Sequence, residues 1–274
     1  MDKVTVAMLG QMKREGQKIV GMVAYDYQMA LMLDRAGVEI VSVGDSVGHN
    51  AWGQSTTSEI TVDEMVLVGK AVRRGVERAL LNCDFPFGPQ QESVSEAVRT
   101  AIRYVKECGA DTVKVDDANE HTEAVRAIVR AGIPVFAQIR NMAPTAVRLG
   151  DAGDANELVV RMKDELVEQA KALEEAGASL IDFTFSGPVA GPAVVEAVSI
   201  PVLGGTGGGP WLDGRITVAQ GRIGYAASAL DDGRERYANV APIILDAISA
   251  YSEDVRAGRP LIGEVRAAEA ARPG

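Results

Sequence analysis

ECGADTVKVDD, residues 107–117, reads as a helix end, a glycine, a short β-branched strand and then two carboxylates. The same phrase returns as DRAGVEIVSVGD (34–45), RAGIPVFAQ (130–138) and EEAGASLIDFT (174–184), with the related AVSIPVLGG (197–205). Gly37, Gly109, Gly132 and Gly177 each suit the left-handed residue that closes a helix, and the apolar runs after them suit strands covered on both faces. A helix that feeds directly into such a strand implies parallel pairing.

Working outward, the pattern predicts strands at Ile19–Ala24, Val38–Val43, Ala79–Cys83, Thr112–Val115, Val135–Gln138, Leu180–Thr184 and Val202–Gly204, and a weak eighth at Ile223–Ala226. Eight strand-helix units in about 250 residues are what a closed (β/α)8 TIM-type barrel needs. An open doubly wound sheet is the alternative, because the last strand is poorly marked. Val94, Ala97, Val98, Ala101, Ile102, Val105 and Cys108 recur at helical spacing, as do Val240, Ile244, Ala247, Ile248 and Tyr251, so both faces are expected to pack on a sheet. The expected organisation is one barrel domain over 1–257 and a tail over 258–274, rich in Ala, Arg, Glu, Pro and Gly.

With 274 residues, 47% of them hydrophobic and 24% charged, the chain can bury a full core. A formal charge of -10 argues against nucleic acid, whose binding needs clustered Lys and Arg. No run approaches the roughly 18 apolar residues of a membrane span, and the polar opening MDKVTVAMLGQMKREG is unlike a signal peptide, so no membrane partner and a cytoplasmic location are expected. Cys83 and Cys108 form no CxxC pair and read as buried free thiols.

On a barrel of this kind chemistry collects just past the carboxyl ends of the strands. Those positions hold Asp26, Asp45, Asp84, Lys114 with Asp116, Gln138, Thr184, the glycine run 204–209 and Ser228. Asp45, Asp84 and Asp116 follow consecutive strands. Facing carboxylates repel unless a cation or a proton sits among them, and an oxygen donor set with room for water suits Mg²⁺. Either aspartate alone would read as a helix cap. Lys114 and Asp116 are two apart on one strand and project to the same side, so the lysine either binds a substrate carboxylate or enolate oxygen or forms an ordinary buried ion pair. Ser46 either grips an anion or merely starts a helix. GGTGGGP (204–210) lacks the context of a dinucleotide fold, His49 and His121 lack metal-ligand spacing, and there is no GxSxG elbow.

AYDYQMA (24–30), VGDSVG (43–48), GQSTT (53–57), AVRRG (71–75), CDFPF (83–87), VKVDD (113–117), KALEEAGA (171–178), IPVLG (200–204) and DGR (213–215) together resemble the ketopantoate hydroxymethyltransferase family, part of the phosphoenolpyruvate mutase and isocitrate lyase superfamily. The resemblance implies a (β/α)8 barrel that binds Mg²⁺, adds a one-carbon unit from methylenetetrahydrofolate to the enolate of a 2-oxo acid, and assembles as a homo-oligomer. It implies metal ligation by Asp45 and Asp84, with Asp116 standing for a family glutamate one methylene longer, and a 2-oxo acid held by Ser46 and Lys114.

The chain departs from that pattern on the later strands. Thr184 replaces the family's glutamate base, Gln138 replaces a histidine, Arg140 and Asn141 replace small apolar residues, RLGDAGDAN (148–156) replaces a glycine and aromatic loop, and Gln220 and Gly221 replace a His-Asp pair. A threonine hydroxyl takes up no proton at neutral pH without a relay. The expected function is therefore Mg²⁺-dependent aldol-type chemistry, carbon-carbon bond formation or cleavage at the enolate of a small 2-oxo acid, with a changed reaction half. A partner other than methylenetetrahydrofolate is then expected. The base would come from Asp182, two residues before Thr184, from Asp117 or from water, and Arg140 would clamp a second anionic group. Ordinary ketopantoate synthesis and a catalytically inactive homologue are the alternatives.

Overall fold

The computed structural model describes residues 2–139, 160, 162–205 and 208–263. These cluster into two compact units, Met1–Ala219 and Gln220–Gly274. In the first unit eight parallel strands close into a barrel in sequence order: β1 Ile19–Ala24, β2 Ile40–Val43, β3 Leu80–Asp84, β4 Thr112–Val115, β5 Val135–Ile139, β6 Leu180–Phe183, β7 Val202–Gly204 and β8 Gly214–Val218. The described helices are α1 Val6–Arg14, α2 Tyr27–Ala36, α3 Val47–Trp52, α4 Val62–Arg73, α5 Pro89–Glu92, α6 Val94–Arg103, α7 Thr122–Arg130, α8 Lys163–Glu175, α9 Ala190–Ala197, α10 Ala219–Ile223 and α11 Val240–Arg256.

The closed barrel replaces the open-sheet alternative, since β1 pairs with both β2 and β8. One strand was misplaced by the sequence pattern. Ile223 closes a helix rather than opening a strand, and β8 is GRITV, hidden because it follows the Asp213-Gly214 turn at once. Ser228 accordingly lies in a 3-10 turn, Ala227–Leu230, and not past a strand end.

Alternation along each strand sorts the side chains. Val41, Val43, Leu81, Cys83, Val113, Val115, Ala137, Ile181 and Phe183 are buried in the layer between strands and helices. Ser42, Asn82 and Thr112 sit opposite one another in register and point inward with Asp84, Lys114, Phe136 and Leu180. The four helix-closing glycines all have positive φ, as their sequence context predicts. At α6 the helix buries Ala97, Thr100 and Ala101 and passes into a π-turn, Tyr104–Cys108, while Val94, Ile102 and Val105 of the expected face are exposed. Both cysteines are free and buried, with Gly69 of α4 lying against the two thiols.

α1 lies at the opposite end from the strands' carboxyl termini. Lys13 Nζ donates to the carbonyls of Val195 and Ile200 and pairs with Asp213, just before β7 and β8, and the Val4 amide donates to Arg78 just before β3.

The second unit consists of the turn Ala227–Leu230, an Asp232 carboxylate paired with Arg234 and Arg236, and α11. Only Ala241 of α11 is buried. Ile244, Ala247, Ile248 and Tyr251, expected to pack on a sheet, are exposed. No described helix is long and apolar enough to cross a membrane. Arg140, Asn141, the loop 148–156 and residues 264–274 of the expected tail lie outside the described residues.

Candidate active site at the carboxyl end of the barrel

Asp84 ends β3 and is almost fully buried, so its charge must be met locally. Its Oδ1 accepts from Ser42 Oγ and from Asn82 Nδ2, both at 2.7 Å. Asn82 Nδ2 also donates to Ser42 Oγ at 2.7 Å, and Thr112 Oγ1 donates to Asn82 Oδ1 at 2.9 Å. The threonine proton thus fixes which way the Asn82 amide faces, and the amide in turn fixes Asp84. The other carboxylate oxygen, Oδ2, accepts from Lys114 Nζ at 2.8 Å.

Lys114 gathers the rest. Its ammonium lies 3.1 Å from Asp116 Oδ1 and 3.6 Å from Asp182 Oδ2. Gln138 Nε2 donates to Asp182 Oδ2 at 3.2 Å, so neighbouring residues on β5 and β6 enter the same group. Asp182 therefore points inward, as one of the two strand registers open to the sequence required. Its Oδ1 and Gln138 Oε1 are buried and accept no hydrogen bond from the described residues.

Three buried carboxylates around one ammonium set the protonation. Burial opposes the lysine's charge, but Asp116, Asp84, Asp182 and Asp45 outweigh it and hold Lys114 well above the ordinary lysine range. Burial pushes the Asp84 carboxyl up; Lys114 pulls it back and Asp116 adds to the rise. Asp182 is raised for the same first reason, with Lys114 and Gln138 opposing.

Asp45 and Ser46 form the turn after β2. Asp45 is partly exposed, and its charge is felt by both Lys114 and Tyr25. Ser46 occupies the cap position of α3 without making a side-chain cap bond, and its hydroxyl lies 2.8 Å from that of Tyr25. Asp26 by contrast caps α2, accepting from the Met29 amide at 2.8 Å, so its role is the helix start. Thr184 follows β6, half-buried, and takes no part in the hydrogen bonds around Lys114. Asp117 (φ 51°) and Phe185 (φ 56°), the two non-glycine residues with left-handed backbone among those described, directly follow Asp116 and Thr184. In the glycine run, a Cβ at Gly204 or Gly205 would come within 2.6 Å of Phe183 O or 2.8 Å of Ile216 O, and one at Gly209 would strike the Trp211 ring. These three serve the chain's own packing rather than ligand approach.

Among the described residues no three His, Cys, Asp or Glu side chains stand ready as a metal-ligand group. The chemistry nevertheless fits a hard divalent ion: the lone-pair atoms facing Lys114 are carboxylate oxygens, and the carboxylates of Asp84, Asp116 and Asp182 outnumber the one ammonium. Ser42, Asn82, Thr112 and Tyr25 were missed in the sequence. The first three had a signal, a polar residue inside each of three consecutive apolar strands.

A family model described as ketopantoate hydroxymethyltransferase matches residues 3–260. The chain is 37% identical over 262 residues to a 3-methyl-2-oxobutanoate hydroxymethyltransferase of Pyrococcus furiosus, covering 94% of this chain and 90% of that one. Among solved structures it is similar to 2,3-dimethylmalate lyase, a phosphoenolpyruvate mutase/isocitrate lyase superfamily member (TM-score 0.60, 17% identity, 96% and 92% of the two chains covered). It is also similar to phosphonopyruvate hydrolase in complex with oxalate and Mg²⁺ (TM-score 0.60, 15% identity, 99% and 92% covered). At that identity the two structures show the shared barrel.

Proposed function

The chain belongs to the ketopantoate hydroxymethyltransferase family, and on that premise we propose that it forms or breaks a carbon-carbon bond at the enolate of a small 2-oxo acid. The observation that carries this reading is Lys114 Nζ within 3.6 Å of Asp84, Asp116 and Asp182, beside an Asp182 oxygen that accepts from none of the described residues. A buried ammonium among carboxylates can meet a developing enolate oxygen without first shedding water. An inward carboxylate with a free oxygen can accept the proton next to the carbonyl.

In this proposal Ser46 and Lys114 hold the 2-oxo acid, and Asp182 is the base in place of a family glutamate, with Gln138 orienting it through the 3.2 Å bond to Oδ2. Thr184 lines the same end of β6 and hydrogen-bonds the reacting group rather than taking its proton. Arg140, next to β5 in sequence, binds a second anionic group. Asp45 and Asp84, with Asp116 through water, would hold Mg²⁺; phosphonopyruvate hydrolase, which shares the barrel, is seen with oxalate and Mg²⁺, which supports a divalent ion in such a fold. When bound, the ion supplies a positive charge that draws electrons from the 2-oxo carbonyl.

The second reading is ordinary 3-methyl-2-oxobutanoate hydroxymethyltransferase with methylenetetrahydrofolate, favoured by the 37% identity to a relative of that name. Either enzyme would work in the cytoplasm as a homo-oligomer, with 1–257 as one functional domain and 258–274 as its tail. Exposed Ile243, Leu245, Ile248 and Tyr251 on α11 support self-association, and light scattering of the purified protein tests it.

Incubation with Mg²⁺ and 2-oxoisovalerate in D₂O, following the C3 proton by NMR, tests the chemistry. Exchange that Asp84→Ala abolishes is expected. No exchange with any short 2-oxo acid would instead indicate a catalytically inactive homologue. Ketopantoate formed at a normal rate on adding methylenetetrahydrofolate would establish the second reading.

A further inference from the structure

Beside the carboxylate group runs a second chain of hydrogen bonds that ends on Ser46. Asn50 Nδ2 donates to the Tyr25 hydroxyl at 2.9 Å, and the Tyr25 and Ser46 hydroxyls are 2.8 Å apart. An amide nitrogen only donates, so the phenol oxygen is the acceptor in the first bond. The second bond can run either way; when Tyr25 donates, Ser46 Oγ is the acceptor and the serine keeps its own proton for a ligand. Ser46 Oγ makes no cap bond to α3, so no helix amide occupies it and it can accept the tyrosine proton.

The packing keeps the two hydroxyls in place. Tyr25 is buried, held between β1 and the turn after β2. A Cβ at Gly44 would meet Val23 Cγ1 at 2.7 Å, Ser46 Oγ at 3.0 Å and Tyr25 Cε1 at 3.7 Å, so only a glycine leaves the serine hydroxyl and the tyrosine ring edge their present approach.

We propose that Tyr25, held by Asn50, is a positioning residue that orders Ser46 as a donor, aiming the serine proton at an anionic oxygen of the substrate. The inference rests on the placement of a 2-oxo acid at Ser46 and Lys114 made above, and it adds a reason for Ser46 to select an oxygen that only accepts. Asn50, Tyr25 and Ser46 then form a one-way relay whose last proton belongs to the ligand. Burial raises the Tyr25 phenol above its ordinary range, which keeps that relay protonated at neutral pH.

Oxalate, as a probe with Mg²⁺ present, is titrated calorimetrically into the full-length wild type, Tyr25→Phe, Ser46→Ala and the double variant. The wild type is expected to bind, and Tyr25→Phe to bind about tenfold more weakly, the usual scale for a hydrogen bond to a charged group. The double variant is expected to bind no more weakly than Ser46→Ala alone, because Tyr25 acts through Ser46. Asn50→Leu, at an exposed position, probes the same relay without touching the core and is expected to weaken oxalate several-fold; it serves if Tyr25→Phe fails to fold. Wild-type affinity in both Tyr25→Phe and Asn50→Leu overturns the relay, and so does a tenfold loss that persists in full on the Ser46→Ala background, the mark of plain packing. Failure of the wild type itself to bind oxalate is a different result: it overturns the substrate placement, and the relay falls with it.

Discussion

The barrel interior carries two kinds of polar surface, one on β2 to β4 and one on β5 and β6. On the first, Thr112, Asn82, Ser42 and Lys114 each donate onward until both oxygens of Asp84 are engaged. On the second, Gln138 and Asp182 share one bond of 3.2 Å and leave Gln138 Oε1 and Asp182 Oδ1 buried without a donor among the described residues. A buried acceptor left alone costs about 1–3 kcal/mol, so the second surface is kept at the expense of stability while the first adds to it. That is the pattern of a fixed holder beside a surface awaiting a ligand. Gln138 and Thr184, the positions that the resemblance reads as departures, both belong to the unsatisfied side.

The strongest way to break this contrast is at Asp182. Asp182→Asn is expected to slow C3 proton exchange by about 10² to 10⁴, the usual loss on removing a general base. Thr184→Ala should change exchange by only a few-fold; equal losses in the two variants would remove Asp182 as base. Because burial raises the Asp182 carboxyl, wild-type exchange should fall with pH while still above the usual carboxylate range, as the base takes up its proton. A profile flat down to the ordinary aspartate range would count against the assignment.

Next in size is Thr112→Val, nearly the same shape without the proton that orients Asn82. It is expected to lower unfolding stability by about 1–3 kcal/mol, read as a lower urea midpoint at unchanged slope. Gln138→Leu, on the other surface, removes an acceptor without a described donor together with the 3.2 Å bond to Asp182, two losses of opposite sign, and is expected to cost less than Thr112→Val. A larger loss at Gln138 than at Thr112 would reverse the comparison.

The smallest effect is on stability against pH. Asp84 and Asp182 both have raised folded values, so the folded state binds more protons than the unfolded one above the ordinary aspartate range. Their contribution is present below that range and is lost as pH rises through the raised values. Asp182→Asn should flatten this part of the curve, which urea unfolding between pH 4 and neutrality, about where carboxyls titrate, would show.

Much of the fold could be read in the chain because each unit repeats one local statement, a helix closed by glycine and followed by a buried strand. Ile19–Ala24, Thr112–Val115 and Val202–Gly204 match the expected strands at both ends. β8 escaped because its alternating GRITV, unlike the continuous apolar runs of its neighbours, begins inside a turn. Of the site, the strand-end carboxylates and Lys114 stand out since charge is rare after buried runs. Whether Asp182 faced in or out depended on register, which only pairing with Gln138 decides. Tyr25 carried no signal, because a tyrosine after a strand is ordinary until Asn50 and Ser46 are seen on either side of its hydroxyl.

The position of α1 has a practical consequence. With Lys13 tied to the carbonyls of Val195 and Ile200 and to Asp213, the helix stoppers the amino-terminal rim, and Asp84, Lys114 and Asp182 open toward the other rim. Tethering the protein to a bead or sensor chip through an exposed α1 residue such as Met8 would therefore leave the reactive rim facing the bulk solution.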